Sequence, residues 1–228
     1  MGWSNWIRGH AEVEPSLYAA DFMRLGEQIE ALLAGGCRIF HFDVGDAHFV
    51  PPVTIGPVVL RSIAPAIHAA GGVLDCHLMV DDPAHHFEEI AASGGDSVTF
   101  HVEAASDPAG VAAAARSRGL AVGIAFNPET SPADAAKAAR AAAAELVLCM
   151  SIHPGYSGQE FMPDAVERIR RLRALLPEQV HVQVDGGIHD ETAPAAYAAG
   201  ATLLVAGSAI FGGGDLAGAY RGLVQALD

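Results

Sequence analysis

Residues 37–44 read C-R-I-F-H-F-D-V, an apolar run that stops on two groups able to bind a metal or move a proton, His41 and Asp43. Strand side chains alternate between faces, so these two, two positions apart, point the same way. Two further runs end alike. Residues 73–77 read V-L-D-C-H and stop on His77, and residues 180–185 read V-H-V-Q-V-D and stop on Asp185. If these ends converge, they make a pocket with two imidazoles and two carboxylates. Such a set binds a divalent metal and also supplies bases on either side of a substrate.

Working outward, eight β-rich runs alternate with Ala-rich, helix-like segments: 13–19, 37–44, 73–80, 97–103, 121–127, 146–152, 180–187 and 202–210. Their near-continuous apolar character suits parallel strands covered by helices. Asp21, Asp82-Pro83 and Ser131-Pro132 mark helix starts, each placing an N-cap residue before a helix-forming run. Glycines at 35–36, 94–95, 119 and 200 mark helix ends. The pattern predicts an α/β fold, a (β/α)8 TIM barrel, as a single domain over 1–228 with residues 1–12 as a short N-terminal extension. An open doubly wound sheet is the competitor; it would favour G-x-G-x-x-G after the first strand, where P-S-L-Y-A-A-D stands. Barrel active sites lie at the C-terminal strand ends, where all the candidate chemistry falls.

With 228 residues, 51% of them hydrophobic, the chain can bury a full core. A net charge of −14 argues against nucleic acid and anionic membrane surfaces as partners, and is otherwise a solubility feature. No apolar run approaches the ~20 residues of a membrane span. The N-terminus lacks the apolar core of a signal peptide, and Trp6 breaks the myristoylation pattern, so a cytoplasmic location is expected. Cys37, Cys76 and Cys149 are odd in number and lie inside apolar runs; they read as buried thiols in a reducing compartment.

His41, Asp43, His77 and Asp185 offer a nitrogen–oxygen ligand set without thiolate, suited to one divalent ion such as Zn²⁺, Fe²⁺, Mn²⁺ or Co²⁺. A lone histidine at a strand end is more often a rim partner; the joint occurrence, with two groups on one face, favours the metal. His85 and His86 are adjacent on a helix and cannot chelate together. His101 is given no role, and His153 reads as a solvated loop residue. Three loops, S-I-H-P-G-Y-S-G-Q (151–159), D-G-G-I (185–188) and A-G-S-A-I-F-G-G-G (206–214), are glycine-rich. One such loop would only shape a turn. Three neighbouring ones favour a phosphate site built from oriented amides. The chain's one lysine, Lys137, lies in a helical segment, so Schiff-base chemistry and orotidylate-type decarboxylation are disfavoured.

These motifs, taken with P-S-L-Y-A-A-D-F (15–22), H-F-D-V-G-D-A-H-F-V-P (41–51), D-C-H-L-M-V (75–80), N-P-E-T (127–130), V-D-G-G-I (184–188) and A-G-S-A-I-F (206–211), resemble the ribulose-phosphate 3-epimerase family over nearly the whole chain. The resemblance implies interconversion of D-ribulose 5-phosphate and D-xylulose 5-phosphate, with a divalent metal. By position, His41, Asp43, His77 and Asp185 match the metal ligands, and the two aspartates match the acid–base pair. Ser16, His77, Gly155, Tyr156, Ser157, Gly158, Gly186, Gly187, Gly207 and Ser208 match substrate contacts; Met79 and Met150 match pocket walls. A phosphorylated ketose substrate and a homo-oligomer are implied as partners.

The chemistry expected is a 2,3-enediolate that the metal stabilises, with Asp43 and Asp185 acting on opposite faces. The chain departs from the family at Gly45 for Met, Ala47 for Gly and Pro52 for Asn, and in the loop Y-S-G (156–158), more often F-G-G or F-A-G. Gly45 is expected to remove apolar bulk beside the metal. That opens two alternatives, an epimerase for a ketohexose 6-phosphate such as D-allulose 6-phosphate, and a non-catalytic sugar-phosphate-binding relative. Trp3, Trp6 and Phe49 read equally as interface residues or as core and rim packing.

Overall fold

Each of the eight apolar runs forms a strand in the computed structural model, which describes residues 2–227. They are β1 (Glu12–Pro15), β2 (Ile39–Gly45), β3 (Val73–Met79), β4 (Ser97–His101), β5 (Ala121–Phe126), β6 (Leu146–Met150), β7 (His181–Asp185) and β8 (Leu203–Ala206). All pairings are parallel, and the hydrogen-bonded order runs β1-β8-β7-β6-β5-β4-β3-β2. A parallel bridge between Ser16 and His41 joins the first strand to the second, so the ring closes as a (β/α)8 barrel.

Burial on both faces explains the continuous apolar runs. Outward residues such as Phe40, Phe42, Leu74, Leu78, Phe100 and Ile124 are wholly buried beneath the helices. All three cysteines are buried free thiols. Inward residues close the barrel floor: Ile39, Ala121, Leu146, Leu148 and Leu203 cluster with Trp3, which has no solvent exposure. Trp6 packs edge-on against Trp3 at 5.1 Å and is half-buried. Residues 3–6 therefore form a helical plug on the barrel.

Local chemistry sets most helix limits. Ser131 Oγ accepts the Asp134 N–H at 3.1 Å and Asp82 Oδ1 the His85 N–H at 3.4 Å, with proline following each cap. Such caps are worth about 1 kcal/mol. Asp21 departs from expectation, because the helix begins at Leu25. The Asp21 carboxylate instead accepts the Met23 N–H at 3.0 Å. That local turn competes with helix formation. Gly36, Gly94, Gly119 and Gly200 all take left-handed φ where helices end. Lys137 is exposed on the helix Pro132–Ala142. Among the described residues, no helix is long and apolar enough to cross a membrane.

Candidate active site

Parallel register sets Asp43 beside His77 and Met150 beside Asp185. The pleat then turns His41, Asp43, His77 and Asp185 into the barrel, where one ligand atom from each lies within 4.8 Å of the others. Asp43 Oδ1 is 3.2 Å from His41 Nε2 and 3.2 Å from His77 Nδ1. The two ring nitrogens are 3.4 Å apart, and His77 Nδ1 is 3.8 Å from Asp185 Oδ2. Ligand atoms about 2.1 Å from a tetrahedral ion stand roughly 3.4 Å from one another. The cluster therefore fits a single divalent cation. The histidine side chains are wholly buried, whereas Asp43 keeps 7% and Asp185 16% of its surface. Only the carboxylates reach the cleft above.

The two carboxylates sit in different fields. Burial pushes Asp185 up to about 7, and the neighbouring Asp43 charge adds to the rise. Burial acts the same way on Asp43, but His41 and His77 outweigh it and hold the group well below the usual carboxylate range. Burial lowers His77, while Asp43 and the other carboxylates around His41 overcome burial and raise it. The pair is thereby split into a carboxylate held ionised and a carboxyl able to carry a proton near neutrality.

A second polar layer lies below this cluster, and sequence reading missed it. His41 Nδ1 is 3.0 Å from Asp75 Oδ2 and 3.6 Å from Glu14 Oε2. Asp75 accepts the Ser97 hydroxyl at 2.7 Å and Gln183 Nε2 at 2.9 Å; Gln183 also donates to Glu14 at 2.6 Å. Glu14 is fully buried, and burial lifts it to about 7. Beside this cluster, His77 Nε2 lies 2.9 Å from His101 Nε2, and Phe49 packs against the His101 ring with centroids 4.7 Å apart and the planes tilted by 51°. The signal was present: Asp75, Gln183 and Glu14 each stand two residues before a candidate site residue, hence on the same face.

Above the carboxylates lies a half-open cleft. Ser16, Met79 and Met150 line it, as do Gly155, Tyr156, Ser157 and Gly158. Gly186, Gly187, Gly207 and Ser208 complete the set read from sequence, while His77 lies beneath the surface. Tyr18, Ile152, Gln159, Ile188 and Val205 also line the cleft and were not anticipated. Ser16 Oγ donates to Asp43 Oδ2 at 2.7 Å, so its hydroxyl also orients a carboxylate. Gly186 and Gly187 take φ of 116° and 63°, and a Cβ there would fall 2.3 Å from Ile152 Cγ1 and 2.5 Å from the Phe161 nitrogen. Only glycine fits at that turn. His153 instead points to Glu129 at 2.7 Å and is exposed.

Gly45 corrects an expectation. A Cβ there would lie 2.9 Å from Val50 Cγ2 and 3.1 Å from both the Pro52 carbonyl and Thr54 Cγ2. Its amide donates to Thr54 Oγ1 at 2.6 Å. The loop after β2 folds back and fills the space, so the missing side chain does not enlarge the cleft. Ala47 takes φ of 62° in that loop, a left-handed conformation easier for the glycine expected there.

Residues 12–211 match the sequence pattern described as the Ribulose-phosphate 3 epimerase family. The chain belongs to this family. Among similar curated proteins, the ribulose-phosphate 3-epimerase of Eremothecium gossypii is 36% identical, over 89% of this chain and 87% of its own length. The cytoplasmic isoform from Oryza sativa subsp. japonica is 36% identical, over 94% and 95%. That of Bacillus subtilis is 35% identical, over 90% and 94%. Beyond this epimerase family, a crystal structure of 3-hexulose-6-phosphate synthase superposes with a TM-score of 0.73 at 22% identity, covering 95% of this chain and 100% of the other. Orotidine 5'-phosphate decarboxylase from Pyrococcus horikoshii gives 0.69 at 15% identity, over 94% and 98%. At those identities the likeness is one of fold.

Proposed function

We propose that this family member interconverts D-ribulose 5-phosphate and D-xylulose 5-phosphate by moving a proton at C3. The observation that carries the reading is the pair of cleft-facing carboxylates, Asp43 and Asp185, with ligand atoms within 4.8 Å in one cluster. Their strands stand three places apart round the ring, β2 to β1 to β8 to β7. A substrate between them meets a carboxylate from either side. His41, Asp43, His77 and Asp185 would hold the divalent cation, which when bound polarises the substrate oxygens at C2 and C3 and offsets developing negative charge.

One aspartate removes the C3 proton, and the other returns a proton to the opposite face. In the cation-free protein Asp43 is held ionised and Asp185 is raised, so the two carboxylates can share one proton, and base and acid roles exchange with direction. The Ser16 hydroxyl fixes the second oxygen of Asp43. Met79 and Met150 provide polarisable, apolar walls that keep water from the carbanionic state. The glycine loops at 155–158, 186–187 and 207–208 supply backbone amides for the phosphate, a local attraction in a chain of net charge −14.

The filled space at Gly45 and the names of the relatives both favour the pentulose over a hexulose phosphate. Comparing turnover of D-ribulose 5-phosphate and D-allulose 6-phosphate tests this. A kcat/KM at least about tenfold higher for the pentulose is expected. A hexulose preference would replace the substrate assignment, and inactivity on both, with cation supplied, would reject the enzyme reading.

A further inference from the structure

The proposed cation site needs a bare lone pair at His77 Nδ1, and an imidazole has two tautomers. If Nδ1 carries the proton, the ring cannot bind there. The opposite nitrogen therefore decides the matter. His77 Nε2 faces another histidine, His101, nitrogen to nitrogen at 2.9 Å. In such a contact between neutral rings one nitrogen must donate and the other accept. Asp43 Oδ1, 3.2 Å from His77 Nδ1, draws a proton towards that nitrogen, and His101 opposes it from the other side of the ring.

His101 is wholly buried, and its Nδ1 has no aligned hydrogen-bond partner, Glu103 Oε2 being the carboxylate oxygen that faces it at 3.3 Å. Glu103 Oε1 accepts the Asn127 N–H at 2.8 Å and also the Thr130 hydroxyl. Both anchors come from the loop that follows β5. They fix the carboxylate and leave Oε2 as the oxygen turned to the ring. An ionised carboxylate only accepts, so its charge at 3.3 Å favours the His101 tautomer that carries the proton on Nδ1 and presents a bare Nε2. His77 must then donate through Nε2, and its Nδ1 is left open towards Asp43 and Asp185.

We propose that Glu103 and His101 are positioning residues that set the tautomer of His77 and so hold its Nδ1 ready for the divalent cation. The inference rests on the function proposed above and assigns work to residues outside the four-residue cluster. It also gives a role to two positions of the N-P-E-T motif at 127–130, where the Asn127 backbone N–H and the Thr130 hydroxyl grip Glu103 rather than the cleft.

Glu103→Gln tests the relay sharply. Asn127 and Thr130 are donors, so they hold the amide oxygen at the Oε1 position and turn the amide NH₂ towards His101. The chain of donors then reverses, and His77 is driven to protonate Nδ1. Ring ¹⁵N shifts of the cation-free protein should show His77 protonated at Nε2 in the wild type and at Nδ1 in Glu103→Gln. Titration with Co²⁺, followed by its visible spectrum, should show affinity weakened about 10- to 100-fold in the variant. Thr130→Val, which removes one anchor, should shift affinity the same way by a smaller factor, and it serves if Glu103→Gln does not fold. An Nδ1-protonated His77 in the wild type, or an unchanged tautomer and Co²⁺ affinity in Glu103→Gln, would overturn the relay. Failure of the wild type to bind Co²⁺ would instead defeat the proposed function, and the ¹⁵N comparison would still decide the tautomer.

Discussion

The inside of the barrel has two unlike arcs. On β5, β6 and β8 the inward residues are Ala121, Ala125, Leu146, Leu148 and Leu203, packed with Trp3 in the apolar manner usual for such barrels. On β1 to β4 and β7, above a floor to which Ile39 also contributes, they include Glu14, His41, Asp75, Ser97, Thr99 and Gln183, all buried and polar. The first arc supplies stability. The second is costly to desolvate and is tolerable only because its members bond one another. A barrel that needed a core alone would have no use for it. Its return is orientation: every bond in the layer below the cluster leads to the far nitrogen of His41, and the His101 contact does the same for His77.

Substitutions on each arc sharpen the contrast. The largest effect belongs above the polar arc: Asp185→Asn should lower kcat about 10³-fold or more while circular dichroism stays native, because one face of C3 loses its proton carrier. On the apolar arc, Leu148→Ala should cost about 2–5 kcal/mol in denaturant unfolding and leave divalent-cation affinity unchanged. Asp75→Asn should do the reverse in kind. The Gln183 amide can only donate to the Oδ2 position, so the new amide oxygen stays towards His41 Nδ1 and, being neutral, holds the ring proton there less firmly than a carboxylate does. Cation affinity measured by chelator competition should fall about 10- to 100-fold. Equal affinity losses in Leu148→Ala and Asp75→Asn would erase the distinction between the arcs.

The smallest effect concerns pH. The Asp185 carboxyl is raised from 3.8 to about 7 on folding, so the native state binds its proton more tightly than the unfolded chain does. Stability associated with that proton is complete below pH 3.8 and is lost as pH rises towards about 7. In chelator-treated protein at pH 8, Asp185→Asn removes the penalty and should raise Tm by at least about 2 °C. At acid pH the gain should vanish. A gain independent of pH would show that the carboxyl is not raised by folding.

Strand ends were legible in the sequence because an apolar run that stops on His or Asp is a local signal with a fixed period. The barrel followed from the alternation of eight apolar runs with helix-like segments. The polar arc was not, since Glu14, Asp75 and Gln183 look like isolated interruptions until register brings them level from strands distant in sequence. His101 was visible but had no role without its contact to His77. Gly45 misled for a related reason: what fills the place of a missing side chain is set by how residues 46–54 fold back, which composition does not reveal. Asp21 misled locally, where a short turn competed with the helix it was expected to cap.

The most direct test follows deuterium at C3 of ribulose 5-phosphate in heavy water, with the protein first stripped of divalent cations and then resupplied. The account predicts no incorporation in stripped protein, rapid incorporation after resupply, and none above background in the doubly substituted Asp43→Asn, Asp185→Asn protein. Incorporation that survives stripping, or persists without both carboxylates, would contradict it.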